Sequence, residues 1–170
     1  MSEFTAGPQF FGRECSVRRF RWVLLPAALC LAVWALFRYV LFLGYVPSAS
    51  MEPTIPAGSM ILGSRIFGEP ERGDVVIFRH EGKTLVKRIA AGEGDRVYLD
   101  DKSGAFSVKE PLPGASRVLT VPKGCYFVVG DNREASVDSR LWSSPFLEEQ
   151  EILAVTLPSY SAGPAPPGRR

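Results

Sequence analysis

The stretch DVVIFRHEGKTLVKRIA, residues 74–90, decides how the chain folds. Its first half is a dense run of β-branched and aromatic side chains, Gly82 interrupts it, and a second run begins at Thr84. Short apolar runs of this composition between turn signals read as strands. In the second run the side chains alternate, so Leu85, Lys87 and Ile89 share one face while Val86 and Arg88 share the other. Outward from 74–79 and 84–90, the same pattern returns at residues 60–67, 96–99, 117–121, 126–129 and 152–156. Gly58, Gly68-Glu69-Pro70, Gly92-Glu93-Gly94, Pro122-Lys123-Gly124 and Gly130-Asp131-Asn132 punctuate the runs. Spacing this regular predicts a mostly β domain, an antiparallel β-barrel or coiled sheet. No stretch after Val46 shows a helical period.

Upstream lies WVLLPAALCLAVWALFRYVLFLGYV, residues 22–46, the most apolar part of the chain. As one helix it would reach roughly 37 Å, enough to cross a hydrocarbon core of about 30 Å. A single N-terminal transmembrane helix over all of 22–46 is therefore expected. Arg38 falls about 24 Å along such a helix, close enough to the far interface for its side chain to snorkel into the headgroups. Tyr39 and Tyr45 flank it as an aromatic belt would. Pro26 sits near the start, where a lost backbone bond does least harm. Before Trp22 stand Arg13, Arg18, Arg19 and Arg21 against Glu3 and Glu14. That basic excess places the N-terminus in the cytoplasm and everything after Val46 outside. A cleavable secretory signal peptide is the competing reading, with Ser48-Ala49-Ser50 offering small residues. The apolar run exceeds the ~7 to 15 residues of such a peptide's core, which favours a retained anchor. The expected division is a basic head at 1–21, an anchor at 22–46, a β-rich domain at 47–160 and a Pro/Gly-rich, disordered tail at 161–170.

The chain has 170 residues, room for one core plus an appended segment. Its 20 basic and 18 acidic side chains give a net charge of +2, so no strong field favours nucleic acid. Cys15, Cys30 and Cys125 fall before, within and after the proposed span and show no metal-ligand spacing. Partners on opposite faces of a bilayer cannot meet disulfide distances, so no intrachain bridge is expected. With His80 as the single histidine, neither a metal centre nor another cofactor is expected.

The segment VPSASMEPTIPAGS, residues 46–59, follows the apolar run directly. Pro47 and Pro53 deny it a helix, so Ser50 is expected to be exposed on an extended or turning backbone. A nucleophilic serine needs a group to take its proton. Lysine can do so when burial lowers its pKa towards neutrality. Lys87, flanked by Leu85 and Ile89 on an apolar face, has the pattern for that role, since an unpaired charge there would be costly. A lysine that solubilises an edge strand fits the same pattern.

Four segments in order resemble the bacterial type I signal peptidase family, peptidase family S26: PSASMEPT at 47–54, RGDVVIF at 72–78, KRIAAGEGD at 87–95 and GDNREASVDSR at 130–140. With the apolar segment in front, they cover nearly the whole chain up to the tail. The resemblance implies a membrane-bound serine endopeptidase with a Ser-Lys dyad, whose β domain docks on the outer leaflet. Its partners would be membrane lipid and signal-peptide-bearing preproteins, cleaved after small-x-small residues. It makes Ser50 the nucleophile and Lys87 the general base. Ser48 joins the Ser50 amide in the oxyanion hole, and Ser136 orients the lysine amine. Asp138 and Arg140 become a supporting pair, and Gly130, Asp131 and Asn132 begin the same box. Val46, Pro47, Met51, Ile55, Leu85 and Val86 are expected to bound the substrate pockets. Residues 102–116 are the least family-like stretch and receive no function. Competing readings are a serine–histidine enzyme using His80, a self-cleaving regulator with the same Ser-Lys chemistry, and a non-enzymatic, membrane-tethered β module.

Overall fold

The computed structural model describes residues 14–157, with side chains from Trp22 onward. The expected tail at 161–170 and most of the basic head lie outside the described residues. The chain divides after Leu36 into two compact units.

The first unit holds helix α1, Glu14–Ala35, and a π-helical turn, Leu36–Val40, begins at its last residue. The apolar side chains of α1 are exposed, among them Trp22, Leu24, Leu25, Leu29, Leu31 and Trp34. That is the reverse of a core helix. The part long and apolar enough to cross a membrane is Trp22–Val40, 19 residues of mean hydropathy 2.0. The expected span over 22–46 is thus six residues too long, because Leu41–Val46 forms strand β1, antiparallel to β2, Ser59–Ser64. A continuous apolar run reads alike as helix or buried strand. The decision comes from the partner: β2 pairs with every residue from Leu41 to Val46. Phe42 packs against the core while Leu43 and Tyr45 are exposed, the alternation of a half-buried strand. Arg38 consequently lies within the last turn.

The β domain continues with β3 (Val75–His80), β4 (Lys83–Ala91), β5 (Arg96–Leu99), β6 (Phe106–Val108), β7 (Arg117–Thr120), β8 (Cys125–Val129), β9 (Leu147–Glu148) and β10 (Ile152–Thr156). A seven-stranded sheet runs in the order β1-β2-β10-β3-β4-β8-β9, and a three-stranded sheet in the order β6-β5-β7. All recorded pairings are antiparallel. The large sheet ends at β1 and β9 without pairing them, so the coiled-sheet form of the expectation holds and the closed barrel does not. Register shifts in β10 and β4 bend the large sheet locally. β6 and β9 went unforeseen, since runs of three and two residues are too short for any period to register.

Three apolar clusters fill the domain. One joins Val46, Met51, Ile55, Ile61, Val75, Ile77 and Ala154. A second joins Val76, Phe78, Ile89, Val128 and Leu147, with Leu85 and Trp142 against it. The third packs Val97, Leu99, Phe106 and Val108 of the small sheet on Ala90, Phe127 and Val129 of the large one. Leu85 and Ile89 contribute to one cluster and Val86 to another, as alternation along β4 requires.

Candidate active site

After β1 the chain enters a 3-10 turn, Ala49–Met51, that carries Ser50. The turn is held from within. Met51 and Ile55 are 0% exposed, the Ile55 amide donates to the Met51 carbonyl at 2.9 Å, and the Gly58 amide donates to the Val46 carbonyl at 2.8 Å. Burying each of those two side chains stabilises the turn by about 1.5–3 kcal/mol. Ser50 is drawn in with them and is 6% exposed, which corrects the expectation of an exposed serine. Prolines predicted the absence of a long helix but not how deeply the next two apolar residues would seat.

Lys87 comes from the middle of β4, opposite Val76. It is 3% exposed, and its Nζ lies 2.7 Å from Ser50 Oγ. Burial is the main cause that lowers its pKa from the ordinary value. Asp138 opposes the shift, Arg140 reinforces it and Asp131 opposes it. At this distance the amine, when unprotonated, can accept the Ser50 proton. Ser48 Oγ, exposed at the rim, is 3.3 Å from Ser50 Oγ.

The loop after β8 closes the site. Its Asn132 amide donates to the Ser50 carbonyl at 3.1 Å. Asp138 is fully buried and accepts from the Ser136 hydroxyl at 2.7 Å, the Gly130 amide at 2.9 Å and Arg140 Nε at 2.8 Å. Burial alone would raise the Asp138 pKa, but Arg140, the Gly130 amide and Ser136 outweigh it and hold it low. Ser136 was expected to orient the Lys87 amine. Among the described residues its hydroxyl instead donates to Asp138, and the only recorded side-chain partner of Lys87 is Ser50. The carboxylate is the stronger acceptor and lies on the same loop. Gly130 is required by close approach: a Cβ there would overlap Ser136 Oγ and sit 2.5 Å from the Ser50 carbonyl oxygen.

Arg88, next to Lys87, makes a two-pronged contact with Asp131 at 2.8 and 2.7 Å and donates to the Gly73 carbonyl at 2.7 Å. Sequence reasoning gave Arg88 no role. The available signal was a second cation on a strand whose neighbours are apolar, which demands a carboxylate partner.

The expected pocket residues divide. Val46, Met51 and Ile55 lie in the core cluster beneath the turn. With no exposed surface Met51 and Ile55 cannot line an open pocket, which corrects their assignment. Pro47, Leu85 and Val86 retain surface, and β4 packs on the turn that bears Ser50. His80 is occupied elsewhere, stacked on Trp142 at 4.0 Å with Nδ1 4.0 Å from Glu151. It pairs with Lys83, four residues or about 13 Å along β4 from Lys87. A serine–histidine arrangement is not formed. Among the described residues no group of three or more His, Cys, Asp or Glu side chains could hold a metal ion.

A family model described as signal peptidase, peptidase S26, matches residues 19–108 and 98–160. Signal peptidase I of Bacillus licheniformis is 36% identical over 146 residues, covering 71% of this chain and 77% of that protein. Signal peptidase I of Aquifex aeolicus is 26% identical, covering 80% and 82%. The mitochondrial ATP-independent inner membrane protease subunit 1b of Arabidopsis thaliana is 37% identical, covering 60% of each. Against several plant and Pseudomonas relatives the chain spans only 32–60% of their length. A crystal structure of a signal peptidase I from Enterococcus faecalis matches at a TM-score of 0.41 and 25% identity, covering 53% of this chain and 98% of that one. With the family model matching most of its length, the chain belongs to the signal peptidase family, peptidase S26.

Proposed function

We propose that the chain is a membrane-anchored serine endopeptidase that removes N-terminal signal peptides from exported preproteins, using Lys87 as general base for Ser50. The observation that carries this reading is the 2.7 Å contact between a buried lysine amine and a serine hydroxyl with no imidazole in reach. Neutral Lys87 takes the Ser50 proton as Oγ attacks the scissile carbonyl. The same ammonium then protonates the leaving amine, and water releases the acyl group by the reverse proton path. Ser48, at the rim and 3.3 Å from Ser50 Oγ, donates to the oxyanion together with the Ser50 amide. Exposed Pro47 and half-buried Leu85 and Val86, the last two on opposite faces of β4, offer shallow apolar surface that suits the two small side chains preceding the cleaved bond.

The exposed apolar helix from Trp22 to Val40 is the membrane anchor, with Arg18, Arg19 and Arg21 ahead of it keeping its start cytoplasmic. Nine residues of chain, Leu41 to Ala49, lie between Val40 and Ser50, a reach of at most about 35 Å. Within the β domain, Tyr45 and Met60 are directly paired and both exposed, with exposed Leu43 nearby on β1, an apolar face suited to the bilayer surface.

The test is cleavage of a preprotein in detergent by the wild-type chain, Ser50→Ala and Lys87→Ala. Both variants should lose turnover while remaining folded, and wild-type activity should fall on acidification as Lys87 becomes protonated. Equal cleavage by all three chains would overturn the reading.

A further inference from the structure

The serine–lysine reading leaves Arg133 without a role, although it sits in the loop that closes the site. Its guanidinium lies over the Phe106 ring, 4.8 Å from the centroid, and its Nη1 is buried without a hydrogen bond. Its carbonyl accepts from Arg140 Nη2 at 2.8 Å. Burial and the adjacent Arg140 both disfavour the Arg133 cation, Asp138 and Asp131 favour it, and the face of the Phe106 ring is the group in direct contact that adds to their support. A second contact runs beside the first: Arg140 Nη1 donates to the Gly104 carbonyl at 3.3 Å. Gly104 has φ +68, and a Cβ there would come within 3.5 Å of that same Nη1. Phe106 is itself anchored, opposite Leu99 in the small sheet and 5.8 Å from the Phe127 ring of β8.

Gly104 and Phe106 therefore hold, from outside, both guanidiniums of the loop whose inner side delivers the Asn132 amide to Ser50 and the Asp138 carboxylate to the neighbourhood of Lys87. We propose that residues 104–106 are a positioning device for the reaction, in which Phe106 acting through Arg133 and Gly104 acting through Arg140 keep the loop closed over the Ser50–Lys87 pair. The proposal rests on the serine–lysine reading. It assigns a purpose to a segment that contains no chemical group of the site.

The consequence can be followed to Lys87. The groups around it are the Ser50 hydroxyl on the 3-10 turn, Asp131, Asp138 and Arg140 on the loop, and Arg88 beside it on β4, paired with Asp131. Exclusion of water is the largest influence on its amine. A loop freed from Phe106 admits water, makes the amine more basic and loosens the Asn132 bond behind Ser50.

The experiment uses the full chain in detergent with a peptide bearing a small-x-small site, and measures kcat and KM against pH. The chains are wild type, Phe106→Leu, Phe106→Tyr, Arg133→Met and Lys87→Ala. Phe106→Leu and Arg133→Met should lower kcat about tenfold at neutral pH, as slight misplacement of reacting groups does. Their KM should stay within about twofold, since substrate binding is untouched. Their acid limb should move to higher pH, and Phe106→Tyr, which keeps the ring, should behave as wild type. Wild-type kcat and acid limb in Phe106→Leu and Arg133→Met, whatever their melting temperatures, would overturn the proposal. Arg133→Met decides alone if Phe106→Leu does not fold, because it keeps the side-chain stem and removes only a strained charge. Wild-type turnover by Lys87→Ala would instead sink the serine–lysine reading and this proposal with it, an outcome distinct from failure of the positioning role alone.

Discussion

Lys87 and Arg88 are consecutive residues of one strand, each 3% exposed, and the two regions they enter treat a buried cation in opposite ways. Arg88 meets a carboxylate through two parallel hydrogen bonds and a carbonyl through a third. Lys87 meets a hydroxyl. In the first region desolvation is offset by a full counter-charge, so the ion pair can persist and brace the loop at Asp131. In the second, the carboxylate with the largest influence, Asp138, is already neutralised by Arg140, so burial dominates and the amine is pushed towards its neutral form. On the proposed serine–lysine reading, adjacent positions thus separate support from reactivity by the partner each side chain finds.

Exchange of the two side chains is the strongest test of this contrast. Lys87→Arg installs a guanidinium that cannot deprotonate, and kcat measured on a peptide substrate should fall by about 10⁴-fold or more. Appreciable turnover by that variant would show that the position needs charge rather than a free lone pair. Next in size is Asp131→Asn, which leaves the Arg88 cation buried against a neutral amide. It should destabilise the domain by about 3–5 kcal/mol, read as a melting temperature lower by roughly 10 °C or more. A loss of activity with no change in melting temperature would place Asp131 in the chemistry instead.

Ser48→Ala removes one donor at the rim. It should lower kcat by about 10²-fold with melting temperature unchanged, and unaltered kcat would remove Ser48 from the oxyanion site.

The smallest effect concerns stability alone. Because burial lowers the Lys87 pKa, the unfolded chain holds more protons than the folded one between that lowered value and the ordinary 10.5. Stability therefore rises with pH across this window, and the penalty for burying Lys87 is greatest below it. Lys87→Met should stabilise the inactive chain by about 1 kcal/mol at acid to neutral pH, with the gain fading towards pH 10.5. Denaturant melts at several pH values check it, and a gain independent of pH would mean that packing rather than charge is responsible.

Residues 74–90 show what a local pattern can carry. Their composition and Gly82 were enough to foresee β3 and β4, and alternation correctly divided Leu85 and Ile89 from Val86. Most other strands were legible for the same reason, because a strand's inner face is written in its own few residues. The four segments resembling the family also named Ser50 and Lys87 before any geometry was at hand. Where the apolar run stops being helix was not legible, since Leu41–Val46 becomes strand only through its pairing with β2. Nor was the burial of Ser50, which Met51 and Ile55 impose.

Local pattern and composition determined that this chain has an exposed apolar helix, a β domain after it, and a serine and a lysine in a recognisable order. Tertiary structure decided that those two side chains, 37 residues apart, lie at 2.7 Å. It also decided that Ser136 serves Asp138 and that the small sheet, through Phe106, and the turn before β6, through Gly104, reach the loop. The physical reason is range. Strand periodicity is a property of neighbours in sequence, whereas desolvation and charge pairing depend on groups that distant segments bring to one point.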